Sequence, residues 1–281
     1  HGGEYKVDLT LTVPGDPKPF NVMFKVSVND AEALKNRKPR PKPYYVEQVD
    51  APNAKAGEPT PLKLVIRETK TKALVKQFDE AHTKLFHLII VSRDLGWFAH
   101  EHPEAQEEGV FTTSVTFPAG GEYRLFADVA PKGAGSQVLG TSLKVKGSAP
   151  TWDTNLKPTP TTLEIEGVKA TFLPQEKSLP IGKTTALTFR LSDVGTGKPV
   201  TDLEPYLGAY GHLMIIHQDG QTFVHSHPME DEAGVAQSKS GSVTFNSRFP
   251  KPGIYKAWGQ FQRSGKVITT PFVLEVKGVT K

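Results

Sequence analysis

One segment of the chain occurs twice, with the same internal spacing of histidines. Residues 87–103 read HLIIVSRDLGWFAHEHP and residues 212–228 read HLMIIHQDGQTFVHSHP, so both follow the pattern H-x12-H-x-H-P. A second pair of segments, 117–129 and 249–261, also matches, after a shift of seven residues. The chain therefore predicts a duplicated domain, with three histidines at equivalent places in each copy.

Each copy of the segment predicts a β-hairpin. In the second copy, the Asp-Gly dipeptide at 219–220 is well suited to a two-residue turn between two runs of β-forming residues. This turn places His212 opposite His227, and Met214 opposite His225. Because side chains alternate along a strand, His225 and His227 project from the same face. Three imidazoles therefore converge on one patch, since cross-strand neighbours lie within about 5.5 Å.

The first copy has a looser turn but supports the same arrangement. If the turn is centred on residues 94–95, His87 lies opposite His102. His100 then joins them on the same face, and Ile89 takes the place that methionine holds in the second copy. We therefore expect one three-histidine group in each repeat.

Three neutral imidazoles on a rigid sheet suit copper or zinc. The predicted metal sites are His87, His100 and His102 in the first repeat, and His212, His225 and His227 in the second. Since the ordinary pKa of histidine is about 6.5, metal affinity is expected to fall as the pH drops through about 6. The alternative is that these are structural histidines bonded to carbonyl groups.

Four further side chains have less certain roles. Met214 shares the histidine face, where a thioether would favour Cu(I), although methionine is also a common core residue. His1, as a true N-terminus, would offer both its amine and its imidazole to Cu(II). His82 is expected on the surface, with a fourth ligand position as the alternative. His217 is expected in a solvated turn.

Composition limits the classes of protein that the chain can belong to. Its 281 residues are typical of about two domains, and 25 glycines, 23 prolines and short β-branched runs predict an all-β protein. The absence of cysteine excludes disulfide scaffolds and thiolate metal ligands. A net charge of +4 from interspersed charges argues against nucleic-acid binding. No apolar run approaches the roughly 20 residues of a membrane span.

The order of segments predicts the domain organisation. Residues 1–43 are interpreted as an N-terminal hairpin, with strands at 5–13 and 20–28, followed by a basic, proline-rich linker at 35–43. The first repeat is expected at 44–147, a linker at 148–162 and the second repeat at 163–281. A chain that starts with His-Gly-Gly instead of methionine is typical of a mature exported protein.

The fold of each repeat is indicated by its later segments. The motif G-x-Y opens a late strand in both copies, at Tyr123 and Tyr255, and resembles the tyrosine corner of immunoglobulin-like sandwiches. The predicted fold is all-β, with two tandem immunoglobulin-like β-sandwich domains preceded by an N-terminal β-hairpin. Both faces of the motif hairpin are apolar, so one face is interpreted as covered by the other repeat or by the N-terminal hairpin, which would bring the two sites closer.

The succession H-L-[IM]-I-[IV], F-x-H-x-H-P, F-P-x-x-G-x-Y and a closing strand resembles the YtkA-like group of exported bacterial immunoglobulin-like domains. The resemblance covers nearly all of residues 44–278 and excludes the N-terminal hairpin. It implies a periplasmic or secreted location and a role beside periplasmic copper-handling proteins. By position, the motif histidines are those of the two predicted sites.

Three functions remain open from the sequence. The first is an exported metal-binding protein, with copper as the metal and zinc as the alternative, that acts in binding, sequestration or transfer. The second is a copper-dependent oxidative enzyme that uses His1 or the paired three-histidine sites. The third is a structural or adhesion module without a metal.

Overall fold

The computed structural model describes nine parts of the chain: residues 3–11, 20–28, 42–49, 53–152, 156–159, 161–174, 179–226, 228 and 232–277. In the N-terminal strands and at His225 it describes the backbone only, apart from the side chain of Lys25. The chain divides into two compact units, His1–Lys42 and Pro43–Lys281. Among the described residues, no helix is long and apolar enough to cross a membrane.

The N-terminal unit contains the predicted hairpin. Strands β1 (Gly3–Leu11) and β2 (Phe20–Val28) pair antiparallel over their full length, from Gly3 opposite Val28 to Leu11 opposite Phe20. Most of the basic linker at 35–43 lies outside the described residues.

The first repeat is a sandwich of two antiparallel sheets. One sheet has the order β3-β4-β9-β8, and the other has the order β11-β10-β6-β7, with β5 also paired to β10. The strand order matches the ABED and GFC sheets of immunoglobulin domains, with an added strand beside C. The strands are β3 (Tyr44–Gln48), β4 (Pro59–Glu68), β5 (Phe78–Asp79), β6 (Phe86–Ser92), β7 (Phe98–Glu101), β8 (Glu104–Ala105), β9 (Val110–Thr116), β10 (Gly121–Pro131) and β11 (Gln137–Val145).

The second repeat has the same arrangement with small additions. Its sheets have the orders β12-β13-β14-β18 and β15-β19-β16-β17, with β20 also paired to β19, and a short helix precedes β18. The elements are β12 (Thr162–Ile165), β13 (Val168–Pro174), β14 (Thr184–Asp193), β15 (Leu203–Glu204), β16 (His212–His217), β17 (Phe223–Ser226), α1 (Glu232–Lys239), β18 (Ser242–Arg248), β19 (Gly253–Arg263) and β20 (Lys266–Val276). The predicted fold class is confirmed in both repeats.

Each repeat also has the predicted tyrosine corner. The hydroxyl of Tyr123 donates to the carbonyl of Ala119 at 2.8 Å, and that of Tyr255 donates to the carbonyl of Lys251 at 2.8 Å. Both tyrosine side chains are buried. The hydroxyl thus satisfies a carbonyl just before the strand, so these tyrosines have a structural role.

The two sandwiches pack against each other through the sheets that contain β6 and β16. All seven residues of β6 are buried, because its two faces cover different cores. One face belongs to the core of the first sandwich, and the other belongs to a cluster shared between the repeats. This interface cluster consists of Ile89, Val91, Leu95, Phe126, Met214, Ile216 and Trp258. The second repeat therefore covers one face of the motif hairpin.

The interface between the repeats is pseudo-symmetric. Phe98 stacks on Trp258 with ring centroids 4.8 Å apart, and Phe223 stacks on Phe126 with centroids 5.1 Å apart. Phe98 and Phe223 are equivalent in the sequence alignment, as are Phe126 and Trp258. Each repeat therefore presents the same surface to the other, as the subunits of a two-fold symmetric dimer do.

Candidate metal centre

The two motif hairpins have the register that the sequence predicts. In the first repeat, β6 and β7 pair with Ile89 opposite His100. In the second, β16 and β17 pair with Met214 opposite His225. The first histidine of each motif lies in a long, buried strand, and the HxH pair follows on the short partner strand.

In the first repeat, three histidines converge as one group. The ring nitrogens that His87, His100 and His102 offer all lie within 4.8 Å of one another, and among the described residues these are the only side chains with a metal-binding arrangement. Their ring centroids are 5.4 Å, 5.1 Å and 4.6 Å apart. His87 is buried, and the other two are half-buried. The group is therefore fixed by the hairpin but not sealed inside the protein.

Hydrogen bonds fix which nitrogens can bind a metal. Nε2 of His87 donates to the carbonyl of Ala81 at 2.9 Å, which leaves Nδ1 with a lone pair. Nδ1 of His100 donates to Oε1 of Gln260 at 2.8 Å, which leaves Nε2 with a lone pair. The amide nitrogen of Gln260 in turn donates to Thr269, which is consistent with this orientation. Metal-binding histidines in proteins are held in this way, by an acceptor for the opposite ring nitrogen.

The two lone pairs face each other at the spacing of metal ligands. Nδ1 of His87 and Nε2 of His100 are 3.2 Å apart. Two nitrogens on one tetrahedral ion, each about 2.05 Å from it, are about 3.3 Å apart. Nε2 of His102 is buried and has no hydrogen-bond partner, which costs free energy unless something binds it. The three residues therefore fit a metal ion held by three nitrogens.

The environment keeps His100 and His102 neutral. Burial lowers the pKa of His100 well below its ordinary value of 6.5, and the nearby His102 adds to this effect. Burial, followed by the proximity of His87 and Lys84, lowers the pKa of His102 to about 4. Since only neutral imidazole binds a metal, protons compete with the metal at a lower pH than the sequence alone indicates.

The second repeat holds His212 in the same way as the first holds His87. Nε2 of His212 donates to the carbonyl of Tyr206 at 2.9 Å, and Tyr206 aligns with Ala81. His212 is fully buried. The side chain of His225 and the whole of His227 lie outside the described residues, as does His1. The second predicted site thus has one described side chain.

His212 of the second repeat lies close to the histidines of the first repeat across the interface. The rings of His100 and His212 have centroids 6.2 Å apart, and the ring of Tyr206 is 6.4 Å from both His100 and His102. Gln260, which positions His100, also belongs to the second repeat. The sequence analysis did not identify Gln260, because no motif near it in the sequence indicates its role. In the sheet, Gln260 is paired with His212, as Asp128 is with His87.

The sequence model of the family described as "Domain of unknown function (DUF8832)" matches residues 43–146 and, a second time, residues 163–278. The chain belongs to the DUF8832 family. The predicted tandem repeat is confirmed by this double match. No curated protein sequence matches this DUF8832 chain.

Several solved structures resemble this DUF8832 protein at low identity. The D00-D0 domain of intimin is 10% identical and has a TM-score of 0.24, with 82% of this chain and 98% of that chain covered. InvD of Yersinia pseudotuberculosis is 13% identical, with a TM-score of 0.27 and coverage of 85% and 59%. Invasin, described as a bacterial integrin-binding protein, is 14% identical, with a TM-score of 0.25 and coverage of 84% and 39%. These scores are too low to inform function.

For two other residues of the DUF8832 chain, the sequence left more than one role open. Met214 is buried in the interface cluster, with its backbone opposite His225 and Trp258. His82 is half-buried, and the centroid of its ring is 6.3 Å from that of His87 and 5.8 Å from that of His212.

The expected solvated position of His217 is wrong. This side chain is buried. It accepts a hydrogen bond from the backbone N–H of Asp219 at 3.1 Å and lies 3.2 Å from the carbonyl of Pro252. Ser92 occupies the equivalent position in the first repeat and also bonds the turn aspartate, through its hydroxyl to Asp94. His217 is thus a turn-stabilising residue.

Proposed function

We propose that this protein binds copper, with one ion on three histidines in each repeat. The first ion is held by His87, His100 and His102, and the second by His212, His225 and His227. The observation that carries the proposal is the convergence of three ring nitrogens with the opposite nitrogens of His87 and His100 already bonded. The matching carbonyl partner of His212 supports the second site.

Copper is proposed as the metal, with zinc as the alternative. A site of imidazoles alone binds Cu(II) more tightly than Zn(II), and softer ligands favour Cu(I). Met214 lies opposite His225 in the second hairpin, where its thioether would make the second site softer than the first, which has Ile89 there. This difference supports transfer or storage of copper in more than one oxidation state.

We further propose an extracytoplasmic location and a role in metal binding, sequestration or transfer. The support is the resemblance to exported YtkA-like domains that accompany copper-handling proteins. His100 and His102 are half-buried, so a periplasmic partner protein can reach the site from solvent. A site meant for exchange needs this access, whereas a purely structural metal site is closed.

The test is the metal content of the full chain after loading with copper or zinc and desalting. The wild type is compared with a His87→Gln, His100→Gln, His102→Gln triple variant. The expected result is two ions for the wild type and a loss of the first-site ion in the triple variant. Retention of all the metal in a folded triple variant would contradict the proposal.

A matched control comes from the chain itself. His217→Ser removes one histidine and installs the residue that the first repeat uses at that position. It should keep both ions, which would show that the loss in the triple variant reflects the site and not the number of histidines. Circular dichroism on all variants checks that the fold is retained.

A further inference from the structure

The turn that carries His82 is locally strained. Ala81 and Lys84 bond each other's backbone, with N···O distances of 2.9 Å and 3.1 Å, and the two residues between them have positive φ: 49° for His82 and 64° for Thr83. A two-residue turn of this kind favours Asn-Gly, because a side chain at positive φ costs free energy. The sequence has His-Thr instead.

The equivalent turn of the second repeat lacks a histidine. There, Leu207 and Gly208 have φ of 52° and 80° between Tyr206 and Ala209. The two turns thus share their geometry and differ in side chain. Strained positions of this kind are concentrated at functional sites, where the surroundings hold the residue in place.

The turn also positions a residue of the metal centre. Ala81 directly precedes His82 in the chain, and its carbonyl accepts the hydrogen bond from His87. The ring of His82 has its centroid 6.3 Å from that of His87 and 5.8 Å from that of His212. His82, which belongs to the first repeat, is therefore a neighbour of His212, which belongs to the second repeat.

These distances suit shared binding of a metal ion. With nitrogens about 2.05 Å from the ion, two imidazole centroids are about 5.2 Å apart on a tetrahedral ion and about 6.4 Å apart on a linear one. The 5.8 Å between His82 and His212 lies within this range.

We propose that His82 is a further metal ligand, which the first repeat contributes to the ion that His212 holds in the second repeat. The proposal rests on the proposed function, because it requires an ion on His212. It adds that the second site is built from both repeats. The bound ion then links the two sandwiches directly.

The decisive variant is His82→Asn. Asparagine is favoured at the first position of such a turn, so the variant should fold as well as the wild type or better. If His82 binds the metal, the variant should nevertheless bind the second ion at least tenfold more weakly. The affinity of the first ion should change less than threefold. Both are measured by competition with a chelator of known affinity, with Cu(I) and with Zn(II).

A spectroscopic readout separates a ligand from a neighbour. Electron spin echo envelope modulation on the Cu(II)-loaded protein counts the imidazoles that bind the metal. One imidazole should be lost from the second site in His82→Asn. The control is Leu207→Asn, which makes the same change in the equivalent turn and should leave affinity and imidazole count unchanged.

The outcomes distinguish this inference from the proposed function. If the wild type binds no metal, the proposed function fails and the inference fails with it. If the wild type binds two ions and His82→Asn binds both with unchanged affinity and imidazole count, the inference alone is wrong. Equal losses in His82→Asn and Leu207→Asn would also overturn it, because they would trace the effect to the turn. A wild type with a single ion, lost in the first-site triple variant, likewise overturns it.

Discussion

At the scale of single residues, burial holds His100 and His102 neutral by lowering the pKa of each, and this makes the metal-free protein sensitive to acid. The pKa of His102 is lowered to about 4 in the folded protein, whereas in the unfolded chain it takes its ordinary value of 6.5. As the pH falls from 6.5 to about 4, the unfolded chain therefore binds protons that the folded protein does not bind. The contribution that a neutral His102 makes to folding stability is therefore fully present above pH 6.5, and it is lost as the pH falls to about 4.

Urea unfolding of the metal-free protein at several pH values between 7.5 and 4.5 measures this effect. Each buried histidine contributes a slope of at most about 1.4 kcal/mol per pH unit, less where solvent screens it, as for His102. The variant His102→Gln should show a shallower loss of stability than the wild type. Parallel curves for the two proteins would contradict this origin of the pH dependence.

Met214 offers a second test at this scale, because the first repeat has isoleucine at the same position. Met214→Ile keeps the volume in the interface cluster, so the free energy of unfolding should change by less than about 1.5 kcal/mol. If the thioether binds the metal, affinity for Cu(I) at the second site should fall while affinity for Zn(II) changes little. Equal effects on both metals would assign Met214 to packing alone.

At the scale of elements, the glycines that open β10 and β19 form a natural pair. Gly121 and Gly253 have φ of 148° and 134°, so alanine is strained at both, at a cost of about 1–2 kcal/mol. A Cβ on Gly253 would clash with Nε2 of His217, whereas a Cβ on Gly121 meets nothing within 4 Å. Gly253→Ala should thus cost about 1–3 kcal/mol more than Gly121→Ala in denaturant unfolding. A similar cost for both would show that His217 moves aside freely.

The elements also show how far the sequence alone reaches. The hairpin register and the tyrosine corner depend on local signals: the spacing of His87 and His100, a turn dipeptide and G-x-Y. Both were predicted correctly. The contact between Gln260 and His100 joins residues 160 positions apart, and no periodicity in the sequence encodes it. The closeness of His82 to His212 depends on the docking of two domains, which follows from the shape of the whole interface.

At the scale of the whole molecule, the interface between the repeats places Gln260 of the second repeat against His100 of the candidate metal centre. Trp258 is buried against Phe98, and the equivalent residue in the first repeat is Phe126. Trp258→Ala should cost about 3–5 kcal/mol, as removal of a buried aromatic side chain does. Trp258→Phe, which copies the first repeat, should keep the stacking and most of the stability. The two variants are compared by thermal unfolding of the metal-free protein, and an equally mild loss in both would place the interface energy elsewhere.

Coupling across the interface is tested most directly at Gln260, which lies in the second repeat and bonds a histidine of the first. Gln260→Leu leaves the N–H of His100 without its acceptor, so its ring is no longer held in the tautomer that presents Nε2. Loss of such a partner lowers metal affinity by about 10–100-fold.

Gln262→Leu is the matched control. Gln262 lies two residues further along β19, and its amide donates to Glu204 at 2.9 Å instead of to a histidine. The first-site affinity, measured by chelator competition, should fall in Gln260→Leu and stay unchanged in Gln262→Leu. Equal affinities in the two variants would show that the first repeat holds its ion without help, whereas the expected difference makes the docked pair of sandwiches the metal-binding unit.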